Sequence, residues 1–168
     1  YSSGLDSHTG WIFADPIRDN SSATTVDVWN KRMSECRQNE TVWRIHSDNG
    51  GEFQGDFQDW CLEKGIRHTN SIPWTPQGNS RIERLHGVIN AAIRASLNVS
   101  GLPMQFWDLA LLHVVFCLNR HPRSGITRVP TPFEKRFARP YTGVDMVPFG
   151  CQATVKIPAK VPDHKFSP

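Results

Sequence analysis

The chain has 168 residues, which is enough for one compact domain with a tail and too few for two full domains. Hydrophobic residues make up 38% and charged residues 21%, and these fractions are typical of an ordinary soluble globular protein. The net charge of +3 is compatible with a nucleic-acid partner but does not indicate one alone. No apolar run approaches the roughly 18 residues that span a membrane, and no secretion signal is recognisable, so we expect neither a membrane partner nor export. The four cysteines form no CxxC or CxxH pair, which disfavours a zinc site.

Strands and helices are predicted to alternate in the N-terminal part of the chain. Pro16 closes a short apolar run, Asn20, Ser21 and Ser22 offer oxygens that can cap a helix, and Gly65 fits a helix C-cap. In order, we predict a strand at 11–14, a helix at 20–36, a strand at 42–47, a turn at 48–51, a helix at 56–64 and a strand at 66–69. This alternation indicates an α/β layer.

A loop and two long helices are predicted next. Two prolines and a glycine exclude regular structure at 71–80, so this segment is predicted to be a mobile loop. Apolar residues then recur at spacings of three and four, which predicts a helix from Ser80 to Gly101 with one buried face. The members of that face are Ile82, Leu85, Ile89, Ile93 and Leu97. A second apolar helix is predicted at about 104–119.

The composition changes after Arg120, where the chain becomes rich in proline and basic residues. We predict a short helix at 132–137 and a strand near 153–157 in this part. The change predicts a core at 1–120 and a C-terminal extension at 121–168.

Two carboxylates are candidate site residues. Asp48 leaves a predicted strand into a Gly-rich turn, and ligands of open α/β sheets gather at the carboxyl ends of strands. The alternative is an Asx-turn, in which Asp48 merely holds the turn. Glu83 lies one turn into the helix after the loop, at the edge of its buried stripe. The alternative there is a solvated first-turn Glu that the helix dipole favours.

The spacing of the two carboxylates and the sequences that flank them favour a functional interpretation over the structural alternatives. Thirty-four residues separate the two carboxylates, which stand in His-Ser-Asp-Asn-Gly-Gly-Glu-Phe (46–53) and Trp-Thr-Pro-Gln-Gly-Asn-Ser-Arg-Ile-Glu-Arg (74–84). Interval and flanks closely resemble the D,D-35-E pattern of retroviral and retrotransposon integrases. Phe-Trp at 106–107, Leu-Asn-Arg-His-Pro at 118–122, Thr-Pro-Phe-Glu at 131–134 and Val-Pro-Phe-Gly-Cys at 147–151 resemble, in order, segments of Ty1/copia-type elements.

The resemblance implies an α/β RNase H-like fold, a mixed sheet flanked by helices, here N-terminally truncated and followed by the Pro-rich basic extension. It implies DNA integration by the core of a retrotransposon Pol polyprotein, through 3′-end processing and strand transfer. Asp48 and Glu83 would be the catalytic residues and the ligands of two Mg²⁺ (or Mn²⁺) ions, since hard cations prefer oxygen ligands. DNA, as element ends and target, and further copies of the chain would be the partners. The nucleus, reached through a cytoplasmic particle, would be the location.

The family's first catalytic Asp is where the sequence departs from the pattern. By the resemblance, Asp6 matches a turn residue after the family's second strand, and Asp15 is a weaker candidate still. We therefore expect that Asp upstream of Tyr1, and an incomplete, inactive triad in this fragment. Ser80 stands where glycine is frequent, and the interval is one residue short of thirty-five; loop length can absorb both departures.

DNA contacts are predicted around the Glu83 helix. Basic side chains there could meet phosphates, and loop side chains could brace DNA. The candidates are Trp74, Gln77, Arg81, Arg84, His86 and Arg94. For the helix residues the alternative is a solvated polar face, and for Trp74 it is packing of the loop onto the body.

Two other functions stay open on the sequence alone. One is a non-catalytic nucleic-acid-binding or interaction module derived from an integrase. The other is an RNase H-like nuclease, which shares the fold and metals. Asp48 and Glu83 are both intact, which favours catalysis in the parent chain over the first alternative. The Pro-rich loop before Glu83 and the tail after Trp107 favour integrase over the second.

Overall fold

The structure, a computed structural model, describes residues 1–36, 40–71, 80–122, 129–143 and 146–155. Its strands are β1 (Ser2–Leu5), β2 (Ile12–Asp15), β3 (Arg44–Ser47) and β4 (Arg67–Asn70). Its α-helices are α1 (Ser22–Ser34), α2 (Asp56–Glu63), α3 (Ser80–Ser100), α4 (Trp107–Arg120) and α5 (Pro132–Phe137). Two 3-10 turns, Gly51–Phe53 and Met104–Phe106, precede α2 and α4. The predicted α/β alternation is therefore confirmed.

Within the described ranges the strands pair two by two. β1 and β2 are antiparallel, with Ser2 opposite Asp15, and β3 and β4 are parallel, with Arg44 opposite Arg67. Both strand orientations occur, but as two separate pairs and not as the single mixed sheet that we expected. The polar sequence of β1 carries little strand signal, and its hydrogen bonds to β2 supply what local preference lacks.

Several boundaries differ from the predictions for identifiable reasons. Ser21 caps α1 by accepting a hydrogen bond from the Thr24 amide, which fixes the start that Asn20 and Ser22 could also have provided. Gly65, with φ of +66°, takes the left-handed position after α2. The helix predicted from residue 104 begins with a 3-10 turn, and its α-helical part starts at Trp107.

An aliphatic cluster, which we call the first cluster, joins β2, α3 and α4. Its buried members are Ile12, Ala14, Ile89, Ile93, Leu97, Ala110, Leu111, Val114 and Val115. The buried Asn119 amide adds a polar lock, because its Oδ1 accepts from the Ile12 amide at 2.8 Å and its Nδ2 donates to the Ile12 carbonyl at 2.7 Å. This side chain thus satisfies a strand backbone as a neighbouring strand would.

A second cluster, dominated by aromatic rings, joins α1, α2 and β3. Its buried members are Ile45, Phe57, Trp60, Cys61 and Ile66, and the predicted α1 stripe of Val26, Trp29 and Met33 packs against them. Phe13 and Trp29 stand edge to face at 5.3 Å. This ring contact connects β2 of the first cluster with α1 of the second.

The C-terminal part that the structure describes packs on the core. Thr131 and Glu134 form a reciprocal capping box that starts α5 at the predicted residue. Phe149 packs against the first cluster. The next residue, Gly150, lies so close to the end of α3 that a Cβ atom at this position would be 2.5 Å from Cβ of Ser100. The strand predicted at 153–157 is absent from residues 153–155, which are exposed and pair with no strand; residues 156–157 lie outside the described ranges.

None of the helices in the described ranges combines the length and apolarity that crossing a membrane requires.

Candidate active site

Asp48 follows the last residue of β3, at the carboxyl end of the parallel β3–β4 pair. Its side chain is exposed, and its Oδ1 accepts a hydrogen bond from the Gly50 amide at 3.1 Å. This bond is the Asx-turn that we considered as the alternative. The two interpretations are compatible, because a carboxylate has more lone pairs than one amide uses.

Hydrogen bonds between the ends of β3 and β4 hold the Asp48 turn. The buried Ser47 Oγ donates to the Asp48 carbonyl at 2.8 Å and lies 2.9 Å from Nε2 of His68. The Ser71 amide donates to the Ser47 carbonyl at 2.9 Å, and Asn49 Nδ2 donates to the Ser71 carbonyl at 3.0 Å. The turn is thereby fixed on both sides of Asp48.

His68 itself is held by aromatic rings of the second cluster. It stands edge to face on Phe57 at 5.3 Å. Burial lowers the pKa of His68, and the neighbouring His46 lowers it further. Both causes disfavour the protonated form of the His68 ring beside Ser47.

Glu83 lies in the first turn of α3, where its side chain is exposed. The position of this turn is set by the first cluster and by two polar contacts with β1. Ser3 Oγ lies 2.7 Å from Nε2 of His86, and the Tyr1 hydroxyl donates to Asn90 Oδ1 at 3.2 Å. A first-turn carboxylate is also favoured by the helix dipole, as the alternative interpretation held.

His86 relates the two carboxylates to each other. Its pKa is lowered, first by burial, while the charges of Asp48 and Glu83 both act in the opposite direction and favour the protonated ring. Both carboxylates are therefore within electrostatic reach of the same imidazole. Asp48 and Glu83, which 34 residues separate in sequence, therefore both act on the charge of this ring.

The two carboxylates are suitable ligands for a hard divalent cation, but two side chains are few ligands for such an ion. Carboxylate oxygens are the ligands that Mg²⁺ prefers. Among the described residues, however, no group of three or more His, Cys, Asp or Glu side chains could hold a metal ion. Asp48 and Glu83 therefore do not form a complete metal site with any other described residue.

Neither of the other two candidate aspartates completes it. Asp6 accepts hydrogen bonds from the His8 amide at 3.1 Å and from the Thr9 amide at 3.0 Å, so it closes the turn between β1 and β2. Burial of Asp6 opposes its ionisation, but hydrogen bonds led by the Thr9 hydroxyl outweigh burial and lower its pKa. Asp15 is buried and paired with Lys31 at 2.8 Å and with Arg32.

The predicted DNA contacts fall into three groups. Arg81, Arg84 and Arg94 are exposed along α3. His86 is half-buried against Ser3. Trp74 and Gln77 lie outside the described residues. Contact of each residue with DNA stays a prediction.

The residues that hold the Asp48 turn were not predicted from the sequence. Ser47 offered a usable signal, because it lies two residues after the buried Ile45 and therefore on the same, inward face of β3. A polar side chain at an inward strand position needs a hydrogen-bond partner. His68 carried no comparable signal, since its partner lies 21 residues away on another strand.

Comparison with known proteins places this geometry in a family. Residues 3–76 match the model of the integrase core domain. The chain is 35% identical over 156 residues to the Retrovirus-related Pol polyprotein from transposon TNT 1-94 of Nicotiana tabacum. That alignment covers 88% of this chain and 11% of the relative, so the chain spans about a tenth of that polyprotein.

Solved structures agree with the sequence match. The catalytic core domain of BIV integrase superposes with a TM-score of 0.62 at 25% identity, over 80% of this chain and 82% of the other. The HTLV-2 integrase catalytic core domain in complex with magnesium (trimeric form) superposes with a TM-score of 0.63 at 20% identity and the same coverage. The chain therefore belongs to the integrase core domain family, with relatives among retrotransposon Pol polyproteins, and it has the RNase H-like α/β fold.

Proposed function

We propose that this chain is the part of a polynucleotidyl transferase that contributes Asp48 and Glu83 to a metal-dependent site for DNA integration. The observation that carries the proposal is the placement of Asp48 at the carboxyl end of the β3–β4 pair and of Glu83 in the first turn of α3, from where both charges favour the protonated His86 ring. The integrase core match and the 35% identity to a retrotransposon Pol polyprotein support it.

Asp48 and Glu83 are the residues of this chain that would hold Mg²⁺ or Mn²⁺, with Asp48 on one ion and Glu83 on the other or on both. A bound pair of such ions would supply activation of the attacking oxygen and stabilisation of the leaving oxygen in an in-line phosphoryl transfer. The magnesium complex of the HTLV-2 core supports this choice of metal. A third acidic ligand is required, and we propose that a strand preceding β1 contributes it.

The chain's other residues would position the carboxylates and the DNA. Ser47 and His68 fix the backbone of Asp48, and the contacts of α3 with β1 fix Glu83. Arg81, Arg84 and Arg94 present charge along α3 that can neutralise phosphates and so set the position of DNA without reading its sequence. Element ends and target DNA would be the substrates, several copies would act together, and chromosomal DNA would place the protein in the nucleus.

The test is strand transfer by the longer polypeptide that contains this chain, with a DNA end and Mg²⁺. Asp48→Asn and Glu83→Gln should each abolish transfer, since each removes a ligand charge while keeping the size of the side chain. Asp56→Asn and Glu63→Gln, at exposed positions of α2, are the matched controls and should leave the rate unchanged. Full activity of either site variant would show that the assignment is wrong.

A second test uses the 168-residue chain alone. Because Asp48 and Glu83 give only two carboxylates, calorimetry should find weak Mg²⁺ binding that Asp48→Asn weakens further. Tight stoichiometric binding would mean that another residue of this chain completes the site. If the unaltered parent polypeptide bound DNA but carried out no strand transfer, the result would instead favour the non-catalytic binding module.

A further inference from the structure

The outward face of the β3–β4 pair carries positive charge that the proposed chemistry does not use. Along β3, Ile45 and Ser47 are buried, while Arg44 and His46 are exposed, as is Asp48 just beyond the strand. Because side chains alternate along a strand, Arg44, His46 and Asp48 lie on the same face. At about 3.3 Å per residue, Arg44 is about 13 Å from Asp48 along the strand.

Two arginines face each other at the start of this surface. Arg44 and Arg67 are direct partners in the parallel pairing, and both are exposed. The four ion pairs found within the described ranges draw on Asp15, Glu35 and Glu40 and include neither arginine. Like charges opposite each other across two strands repel, so this arrangement destabilises the pair unless an anion lies between them.

An exposed indole stands beside the arginines. Trp43 precedes β3 and keeps 65% of its surface exposed, and the Arg44 guanidinium lies 5.2 Å from the centre of its ring. The exposed face of this ring is accessible to a stacking partner. An exposed indole with a guanidinium group beside it suits an unpaired nucleobase, which can stack on the ring while the adjoining phosphates contact positive charges.

We propose that Trp43, Arg44 and Arg67, which we call the basic track, bind a DNA segment with unpaired bases and lead it along the β3–β4 face to Asp48. One base stacks on Trp43, and adjoining phosphates contact Arg44 and Arg67. His46, bonded to Thr69 at 3.0 Å, lies between these contacts and Asp48. The inference rests on the proposed function in that DNA is the ligand, and it adds a contact surface separate from α3.

The test is fluorescence anisotropy with the 168-residue chain, using a labelled single-stranded oligonucleotide and its duplex over a range of salt concentrations. The double variant Arg44→Gln/Arg67→Gln should reduce the slope of log affinity against log salt on single strands by about 1.4, because each neutralised phosphate contributes about 0.7 to that slope. Trp43→Leu should weaken single-strand binding by about tenfold and change duplex binding little.

The control is Arg18→Gln/Lys135→Gln, which removes the same charge from exposed positions elsewhere. It should leave the salt slope unchanged. The basic-track double variant should also melt at the same temperature as the wild type or higher, because it removes the repulsion across the strands. Weaker binding together with unreduced stability separates a binding role from a structural one.

The possible results decide between this inference and the proposed function. Equal effects of the basic-track pair and the control pair would overturn the inference. If Arg81→Gln/Arg84→Gln abolished binding while the basic-track variant bound normally, the inference would fail and the α3 surface would stand. If the wild-type chain bound no DNA, both would fail. If polyglutamate bound with the same dependence on Arg44 and Arg67 while Trp43→Leu had no effect, the ligand would be an acidic protein segment and the proposal would be wrong.

Discussion

The two carboxylates of the candidate site are held by two different kinds of structure. Glu83 is on a long helix whose apolar face belongs to the aliphatic first cluster together with residues of α4 and β2. The same helix contacts β1 through His86 and Ser3, which are 83 positions apart. Asp48 is in a turn that hydrogen bonds fix above the aromatic second cluster, within one continuous stretch from α1 to β4. Asp48 therefore depends on directional hydrogen bonds between two strand ends, whereas Glu83 depends mainly on the burial of an apolar helix face.

The largest expected effect comes from the second cluster. Phe57 is fully buried and contacts the rings of Trp29, Trp60 and His68. Phe57→Ala should lower the free energy of unfolding by about 3–5 kcal/mol in urea denaturation, because it leaves a cavity among these rings. Leu62→Ala, on the same helix but 78% exposed, should change it by no more than about 0.5 kcal/mol. Equal effects of the two changes would contradict the assignment of the aromatic core.

The corresponding change in the first cluster is smaller. Asn119→Ala removes both hydrogen bonds to Ile12 and leaves a buried amide and a buried carbonyl of β2 unpaired. We expect a loss of about 2–4 kcal/mol, at about 1–2 kcal/mol for each of the two unsatisfied groups. Asn98→Ala, at an exposed position of α3, is the control and should be nearly neutral. A neutral Asn119→Ala would show that α4 and not this amide holds β2.

A change at the Asp48 turn tests whether this turn, above the second cluster, responds separately from α3, which packs in the first cluster. Ser47→Ala removes the hydroxyl that bonds to the Asp48 carbonyl and should cost about 1 kcal/mol of stability. Amide hydrogen exchange should become faster at Gly50 and stay unchanged at Ile93 on α3. Ser7→Ala, in an exposed turn, should alter neither amide. Faster exchange along α3 in the Ser47→Ala variant would mean that the Asp48 turn and α3 are coupled.

The smallest expected effect is a dependence of the free energy of unfolding on pH. It comes from two histidines, His68 beside the second cluster and His86 on α3. His68 and His86 both have folded pKa values below 6.5, first because of burial. Below pH 6.5 the unfolded chain takes up these protons before the folded chain does, so stability is complete above that pH and falls as the pH decreases toward the folded pKa values. His68→Gln should flatten this dependence of urea stability, whereas His121→Gln, at an exposed position, should not. A rise in stability on acidification through this range would contradict the sign.

Periodicity and capping were sufficient for most elements and for their order. Of the five residues of the predicted α3 stripe, Ile89, Ile93 and Leu97 are buried, whereas Ile82 and Leu85 are half-buried. The spacing and flanks of Asp48 and Glu83 predicted a functional pair before any geometry was known. The polar β1 and the absence of a strand at residues 153–155 were not predictable in this way, because strand formation depends on a partner that one segment does not encode.

The sequence by itself determined the family and most helices and made Asp48 and Glu83 the candidate carboxylates, because these follow from local periodicity and from short motifs. The tertiary structure alone decided which residues hold those carboxylates. His68 reaches Ser47 from another strand, Ser3 reaches His86 across 83 positions, and Arg44 meets Arg67 only through strand pairing. These contacts join distant segments, and no local preference specifies them.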